Sequence, residues 1–283
     1  MNVCHKIFLK GIERFTMLTI KNYIRPETLE EAYNLCQKRS NVVLGGMLWL
    51  KMSNRTVKNA IDLCDLGLDK ITEDDDCYRI GAMVPLRTLE MHEGLNKMTS
   101  GALKEALKHI VGVQFRNLAT VGGSIYGRFG FSDVFTLMQV LEAKVCLYKH
   151  GEISIDEFAG FPRTTHDILT EIIIPKKKRK VAYLSLRNTQ TDFPALACAV
   201  CVTEDNVLCA VGARPGIAGL LKDEKGILSN GITEESAEIF GIEASKYFKF
   251  ESNMRGSSLY REKTCKVLVR RALMSFSEVD YAD

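Results

Sequence analysis

No run of residues approaches the ~18 consecutive apolar positions that a membrane span requires. The longest candidate, Phe193 to Val202, is about half that and carries Pro194. The N-terminal stretch "MNVCHKIFLKGIERFTM" has no continuous apolar core, so it does not read as a signal peptide. Charge of one sign is also missing: the formal net charge is +3 over 283 residues, which leaves no large electrostatic footprint for nucleic acid. Cysteine spacing lacks order. Nine cysteines are scattered, which argues against a disulfide framework and for a reducing, cytoplasmic setting. His5, His92, His109, His150 and His166 form no HxH or HExxH pattern, so no metal site is supported. Neither a nucleophile elbow nor a Walker loop is present, and Gly-x-Gly-x-x-Gly, the usual dinucleotide fingerprint, is absent too.

The composition is that of a globular chain, 46% hydrophobic and 26% charged, and its length suggests about two domains. Met17 immediately precedes the strand-like "LTIKNYIRP", so residues 1–16 read as an N-terminal extension outside the fold. Thr28 to Arg39 reads as a helix with a Thr28/Glu31 capping box and an apolar stripe of Leu29, Ala32, Leu35 and Cys36. "NVVL", "NAIDLCDL", "YRIGAMVPL" and "DILTEIIIP" read as strands. "TLEMHE", "GALKEALKHIVG" and "SDVFTLMQVL" read as helices, the last with Val134, Leu137, Met138 and Leu141 inward. "FPALACAVCV" and "VLCAVGARPG" read as paired antiparallel strands, and two helical stretches close the chain.

Two motifs have bland readings that outweigh the sharp ones. Cys198 and Cys201 look like a metal or redox pair, but residues three apart on a strand point to opposite faces and cannot chelate one ion. Lys176 to Lys180, "KKKRK", resembles a nucleic-acid signal but reads better as a solvated turn between two strands. That turn, with a composition shift near residue 178, marks a domain boundary.

What the sequence does concentrate is glycine. Gly45-Gly46 and Gly122-Gly123 are its only adjacent glycine pairs, and each follows a β-type run, "NVVL" and "NLATV". Such turns present successive backbone N–H groups with no Cβ in the way, a concavity suited to phosphate oxygens. Brought together, the two would grip a pyrophosphate from both sides, with Thr120 and Ser124 adding hydroxyls. Asp133 opens a helix, where a carboxylate suits the dipole; it could equally accept ribose hydroxyls. On spacing alone, tight turns and a capping Ser-Asp explain these residues equally well.

"GGMLWLKM", "RIGAMVPLRTLE", "QFRNLATVGGSIYGRFGFSDVFTLMQVLEAKV", "DILTEIIIP" and "MRGSSLYREKTCKVLVRRAL" occur in this order. Together they resemble the FAD-binding medium subunit of molybdenum hydroxylases, the xanthine dehydrogenase and carbon monoxide dehydrogenase family. The resemblance implies an α+β chain: a PCMH-type, two-part FAD-binding domain over residues 17–178, then a C-terminal domain over 179–283 of a three-stranded antiparallel sheet with helices. It implies FAD contacts at Val43, Leu44, Gly45, Gly46, Met47, Leu48 and Trp49 in the first loop, and at Thr120, Val121, Gly122, Gly123 and Ser124 in the second. Asp133 falls at the ribose, and Leu169 at a backbone contact near the flavin end. No catalytic residue is assigned. The implied partners are a molybdopterin-binding large subunit and a 2Fe-2S small subunit, with electrons passing through FAD to NAD or another acceptor. Departures stand at Met47 and Leu48, where the family has a polar pair, at Ser124, where it often has Asn, and at Ser185, where many relatives carry lysine, with Arg187 two residues on. Two alternatives stay open. One is a self-contained flavin-dependent reductase of the same fold, such as the UDP-N-acetylmuramate-forming type; the other is a non-catalytic nucleotide-binding scaffold.

Overall fold

A computed structural model describes residues 17–278, so the N-terminal extension expected over 1–16 lies outside the described residues. The first unit contains β1 (Thr19–Ile24), α1 (Leu29–Cys36), β2 (Asn41–Leu44) and β3 (Thr56–Asp62). Its three strands are parallel in the order β1-β3-β2, which leaves β2 at an edge. Thr28 caps α1 by accepting the N–H of Glu31, as its sequence suggests; the Glu31 carboxylate reaches the N–H of Glu27 rather than that of Thr28. Ala32 and Cys36 turn inward against Ile61 and Leu63.

The second unit runs through β4 (Ile71–Glu73), β5 (Cys77–Gly81), α2 (Leu86–Met91), α3 (Glu93–Met98), α4 (Ala102–Lys108), α5 (Val113–Leu118), α6 (Val121–Tyr126), α7 (Asp133–Val140), β6 (Lys144–Leu147), β7 (Gly151–Ser154), α8 (Ile155–Ala159) and β8 (Leu169–Pro175). Its sheet is antiparallel in the order β4-β5-β8-β6-β7.

The third unit holds β9 (Lys180–Arg187), β10 (Pro194–Val202), β11 (Val207–Gly212), β12 (Gly219–Lys222), α9 (Glu234–Tyr247) and α10 (Ser258–Glu278). Its antiparallel sheet has four strands, order β12-β11-β10-β9, one more than the three expected. The extra strand is the short "GLLK", which pairs with β11 from Gly219 to Lys222. At four residues it is too short to show an alternation in sequence.

β10 explains the long apolar run: both faces of this sheet are covered. Leu196, Cys198 and Val200 pack with α9 and α10, while Ala197, Ala199 and Cys201 join the core that contains α4 and α7. Cys198 and Cys201 therefore do lie on opposite faces. α7 is buried along its whole length between units. It approaches β11 so closely that a Cβ on Gly212 would sit 2.1 Å from Thr136 Oγ1. Lys176 to Lys178 form the turn between β8 and β9, while Arg179 folds in to donate to the carbonyl of Leu141 at 2.8 Å.

Candidate functional site

The first glycine pair ends β2. Gly46 has φ +79°, in the left-handed region, and a Cβ there would stand 2.0 Å from the carbonyl oxygen of Leu118. Only glycine fits, and its fit draws the loop against the end of α5. Met47 continues the turn with φ 62°. Among the described residues, the N–H groups of Gly45, Gly46, Met47 and Leu48 find no acceptor.

The second pair differs from its sequence reading. "NLATV" is not a strand. Asn117 and Leu118 end α5, Ala119 and Thr120 are extended, and Val121 starts α6, so both glycines lie in the first turn of a helix. α5 and α6 span six residues each, too few for a helical period to show. Thr120 is the N-cap, and its Oγ1 accepts the Gly123 N–H at 3.1 Å. The N–H of Val121 bonds Val84, that of Gly122 bonds Ala82, and that of Ser124 bonds the Thr120 carbonyl. Ser124 Oγ donates to the same carbonyl at 3.1 Å. Gly122 is needed for close approach, since a Cβ would meet the Ala82 oxygen at 2.6 Å.

The two pairs do come together. A Cβ on Gly45 would lie 3.1 Å from Gly123 Cα and 3.0 Å from Thr120 Oγ1, and one on Gly123 would lie 3.0 Å from the Gly45 oxygen. They meet at the wall of a cleft of about 680 Å³ that runs along the β2 edge. Val43, Leu44, Gly45, Met47, Leu48, Trp49, Thr120, Gly122, Gly123, Ser124, Asp133 and Leu169 all line it. Gly46 and Val121 do not: the first faces Leu118, and the second is buried in the core.

One end of the cleft is aromatic. Trp49 lies 5.4 Å from Phe115, 5.3 Å from Phe193 and 6.0 Å from Phe131, and Phe131 lies 4.3 Å from Phe193. The other end is formed by Cys36, Arg39, Leu63 and Met83 with the segment His166–Ile168. Leu169 follows that segment directly; its side chain joins the core that holds Ile125 and Val145, while Ile168 packs with Ala32 and Cys36 of α1.

Asp133 is the first residue of α7, capped by Ser132, and is almost fully buried. Its Oδ1 accepts from the hydroxyl of Tyr183 and from Arg187 Nη2, the latter at 2.5 Å. Burial pushes the carboxyl up to about 6, against the pull of Arg187 and Tyr183, which favour the charged form. The same burial, with the neighbouring carboxylate, raises the Tyr183 hydroxyl. Tyr183, Phe115, Phe131 and Phe193 were not singled out by sequence reasoning. The aromatic wall is drawn from positions scattered between Trp49 and Phe193; the one local signal is the pair of phenylalanines, Phe129 and Phe131, beside the second glycine pair.

The cleft thus sets unpaired amide donors against a Cβ-free surface, with an aromatic compartment beyond. Residues 14–177 match the family described as FAD binding domain in molybdopterin dehydrogenase. The chain belongs to this family and is the FAD-binding flavoprotein subunit of an oxidoreductase of the molybdenum hydroxylase type. It is 28% identical over 257 residues to the uncharacterized protein YgfM of Escherichia coli (strain K12), covering 88% of this chain and 94% of that one. It is 24% identical over 271 residues to the nicotine 6-hydroxylase medium subunit of Paenarthrobacter nicotinovorans, covering 89% and 95%. A solved chain of carbon monoxide dehydrogenase from Hydrogenophaga pseudoflava superposes with TM-score 0.79 at 23% identity, covering 89% of this chain and 95% of that one, and so shares the α+β, PCMH-type fold. No helix among the described residues is long and apolar enough to cross a membrane.

Proposed function

We propose that FAD lies along this cleft with its pyrophosphate between the two glycine segments and its ring system at the aromatic end. The observation that carries the reading is the contact of Gly45 with Gly123 beside four amide N–H groups that find no acceptor among the described residues. The residues from Val43 to Trp49 supply donors. Those from Thr120 to Ser124 supply a surface that phosphate can approach, with the Thr120 hydroxyl at its rim. Asp133 has one oxygen taken by Tyr183 and Arg187, and its other oxygen would meet the ribose. Leu169 would border the adenine end. With Met47 and Leu48 carrying no hydroxyl or carboxylate, the first loop grips through its backbone.

The chemistry that bound FAD supplies is electron transfer, from molybdenum and 2Fe-2S centres on a large and a small partner subunit to NAD or another acceptor. The chain's own part is to bind, orient and shield the cofactor. In this reading FAD-binding residues end near 178: β8 closes one sheet at Pro175, and β9 opens the next at Lys180. The eight described cysteines are free thiols, in keeping with a cytoplasmic setting.

Trp49 is the chain's single tryptophan and stands in the aromatic wall, so it reports on occupancy. Titrating FAD into cofactor-free protein should quench its emission and saturate at about one FAD per chain. Emission that ignores FAD sinks the placement of the ring. Flavin bleached anaerobically by a heterocyclic reductant, with no other subunit present, overturns the subunit role in favour of a self-contained reductase.

A further inference from the structure

The segment 188–193, which joins β9 to β10 and ends in Phe193, is fastened by two arginines from different directions. Arg187 spreads one guanidinium over three acceptors. Nη2 donates to Asp133 Oδ1 at 2.5 Å, Nη1 to the main-chain carbonyl of Asp192 at 2.6 Å, and Nε to Ser185 Oγ at 3.1 Å. Arg255, in the stretch before α10, donates Nη2 to Asp192 Oδ1 at 3.1 Å and lies over the Phe193 ring, 5.0 Å from its centre. The Asp192 carboxylate also accepts the Phe193 N–H at 2.7 Å. Phe193 thus contacts Arg255 as well as the rings of Phe131 and Trp49.

We propose that Arg187 and Arg255 are positioning residues that set the aromatic wall of the cleft before the cofactor arrives. A guanidinium offers five N–H groups in a rigid plane, so three simultaneous acceptors fix its orientation and theirs. The side chains of Arg187 and Asp133 are 6% and 5% exposed, so neither charge has water to turn to if the other leaves. The clamp therefore stays closed, and it transmits the fixed start of α7 to the main chain at Asp192. A segment held in its bound geometry loses less freedom when ligand enters, and affinity rises accordingly. The inference rests on the FAD reading of the cleft and adds to it the residues that set the ring compartment.

The test uses cofactor-free protein and Trp49. Arg187→Lys keeps a charge for Asp133 but cannot span Asp133, Ser185 and the Asp192 carbonyl together. Arg255→Gln removes the second fastening at a site whose side chain is 25% exposed. Arg255→Gln should melt close to the unaltered protein, and Arg187→Lys somewhat lower, because buried acceptors lose their donor. Acrylamide should quench Trp49 more strongly in both, and FAD should bind about tenfold more weakly, as expected for the loss of one charge-assisted hydrogen bond. Arg187→Ala should show the larger change if it folds; if it does not, the other two variants carry the test. Unaltered Trp49 accessibility and unaltered FAD affinity in both variants overturn the proposal, as does a drop in melting temperature with no change in accessibility, which marks a purely structural role. An unaltered protein that binds no FAD sinks the cofactor reading instead, because the accessibility measurement needs no cofactor.

Discussion

Gly45-Gly46 and Gly122-Gly123 look alike in the sequence and do different work in the fold. The first pair ends a parallel edge strand and leaves its amide groups without acceptors among the described residues. The second pair begins a helix whose first-turn amides are all bonded, to Val84, Ala82 and Thr120. One segment offers donors. The other offers absence, a place where no side chain stands between the Gly45 backbone and α6. Adjacent glycines therefore mark a close approach in both cases but a donor array in only one.

The difference is sharpest at Gly123. A carboxylate placed there would leave the helix turn intact while filling the gap to Gly45 and opposing a pyrophosphate. Two unit charges about 4 Å apart repel by roughly 4 kcal/mol at an effective dielectric near 20. Gly123→Asp should therefore purify folded and without flavin; a yellow variant with full cofactor content would remove this segment from the phosphate site. At Gly46 the failure should be of the opposite kind. A Cβ there meets the Leu118 oxygen at 2.0 Å and the backbone is left-handed, so Gly46→Ala should cost roughly 3 kcal/mol or more of stability. Urea unfolding measures it. A variant as stable as the parent would show that the loop can leave α5 at little cost.

The same contrast shows what the sequence can reveal. "NVVL" is legible as a strand because a short apolar run, Val42 to Leu44, stops at a glycine pair. Cys198 and Cys201 are legible as opposite-facing because strand periodicity is rigid: one lies in the core under α9 and α10, the other in the core around α7. "NLATV" misleads because Ala119 and Thr120 are extended for two residues only, and β-branched residues there disguise a helix end followed by a helix start. The meeting of the two glycine pairs was readable as a chemical requirement. The aromatic wall was not, because its members come from four separate segments and no spacing connects them. Nor was the use of Arg187, whose side chain reaches Asp133 and the main chain of Asp192, positions far from it or unconnected to it by any spacing rule.

Asp133 provides a smaller test, of the helix that the second glycine segment leads into. Burial disfavours its charge and pushes its carboxyl up to about 6 in the folded chain, from an ordinary value of 3.8. Between those two values the folded chain holds the extra proton, so stability falls as pH rises from about 4 to about 6, and this group adds no further slope above that. A rise from 3.8 to about 6 corresponds to at most about 3 kcal/mol. Urea midpoints measured across this range should lose that slope in Asp133→Asn. A slope that persists in the variant assigns it to another group.

The smallest effect is expected at Thr120, where the two glycine segments share one side chain. Its Oγ1 accepts the Gly123 N–H and lies 3.0 Å from where a Gly45 Cβ would be, so it stands at the contact between the loops. Thr120→Val keeps the shape and removes both the cap and the hydroxyl proton. Loss of a helix N-cap typically costs about 1 kcal/mol. The Gly123 N–H, released from Oγ1, then becomes a donor facing the cleft. If the second segment contributes only closeness, that new donor should offset the lost hydroxyl, and FAD affinity should change less than threefold while stability drops by about 1 kcal/mol. If instead the Thr120 hydroxyl is itself a phosphate donor, affinity should fall by about tenfold or more, and Thr120→Ser should restore it. Paired measurements of urea midpoint and FAD dissociation constant on the two variants separate the cases. A tenfold loss rescued by serine would make the second segment a donor after all and erase the distinction drawn between the two glycine pairs.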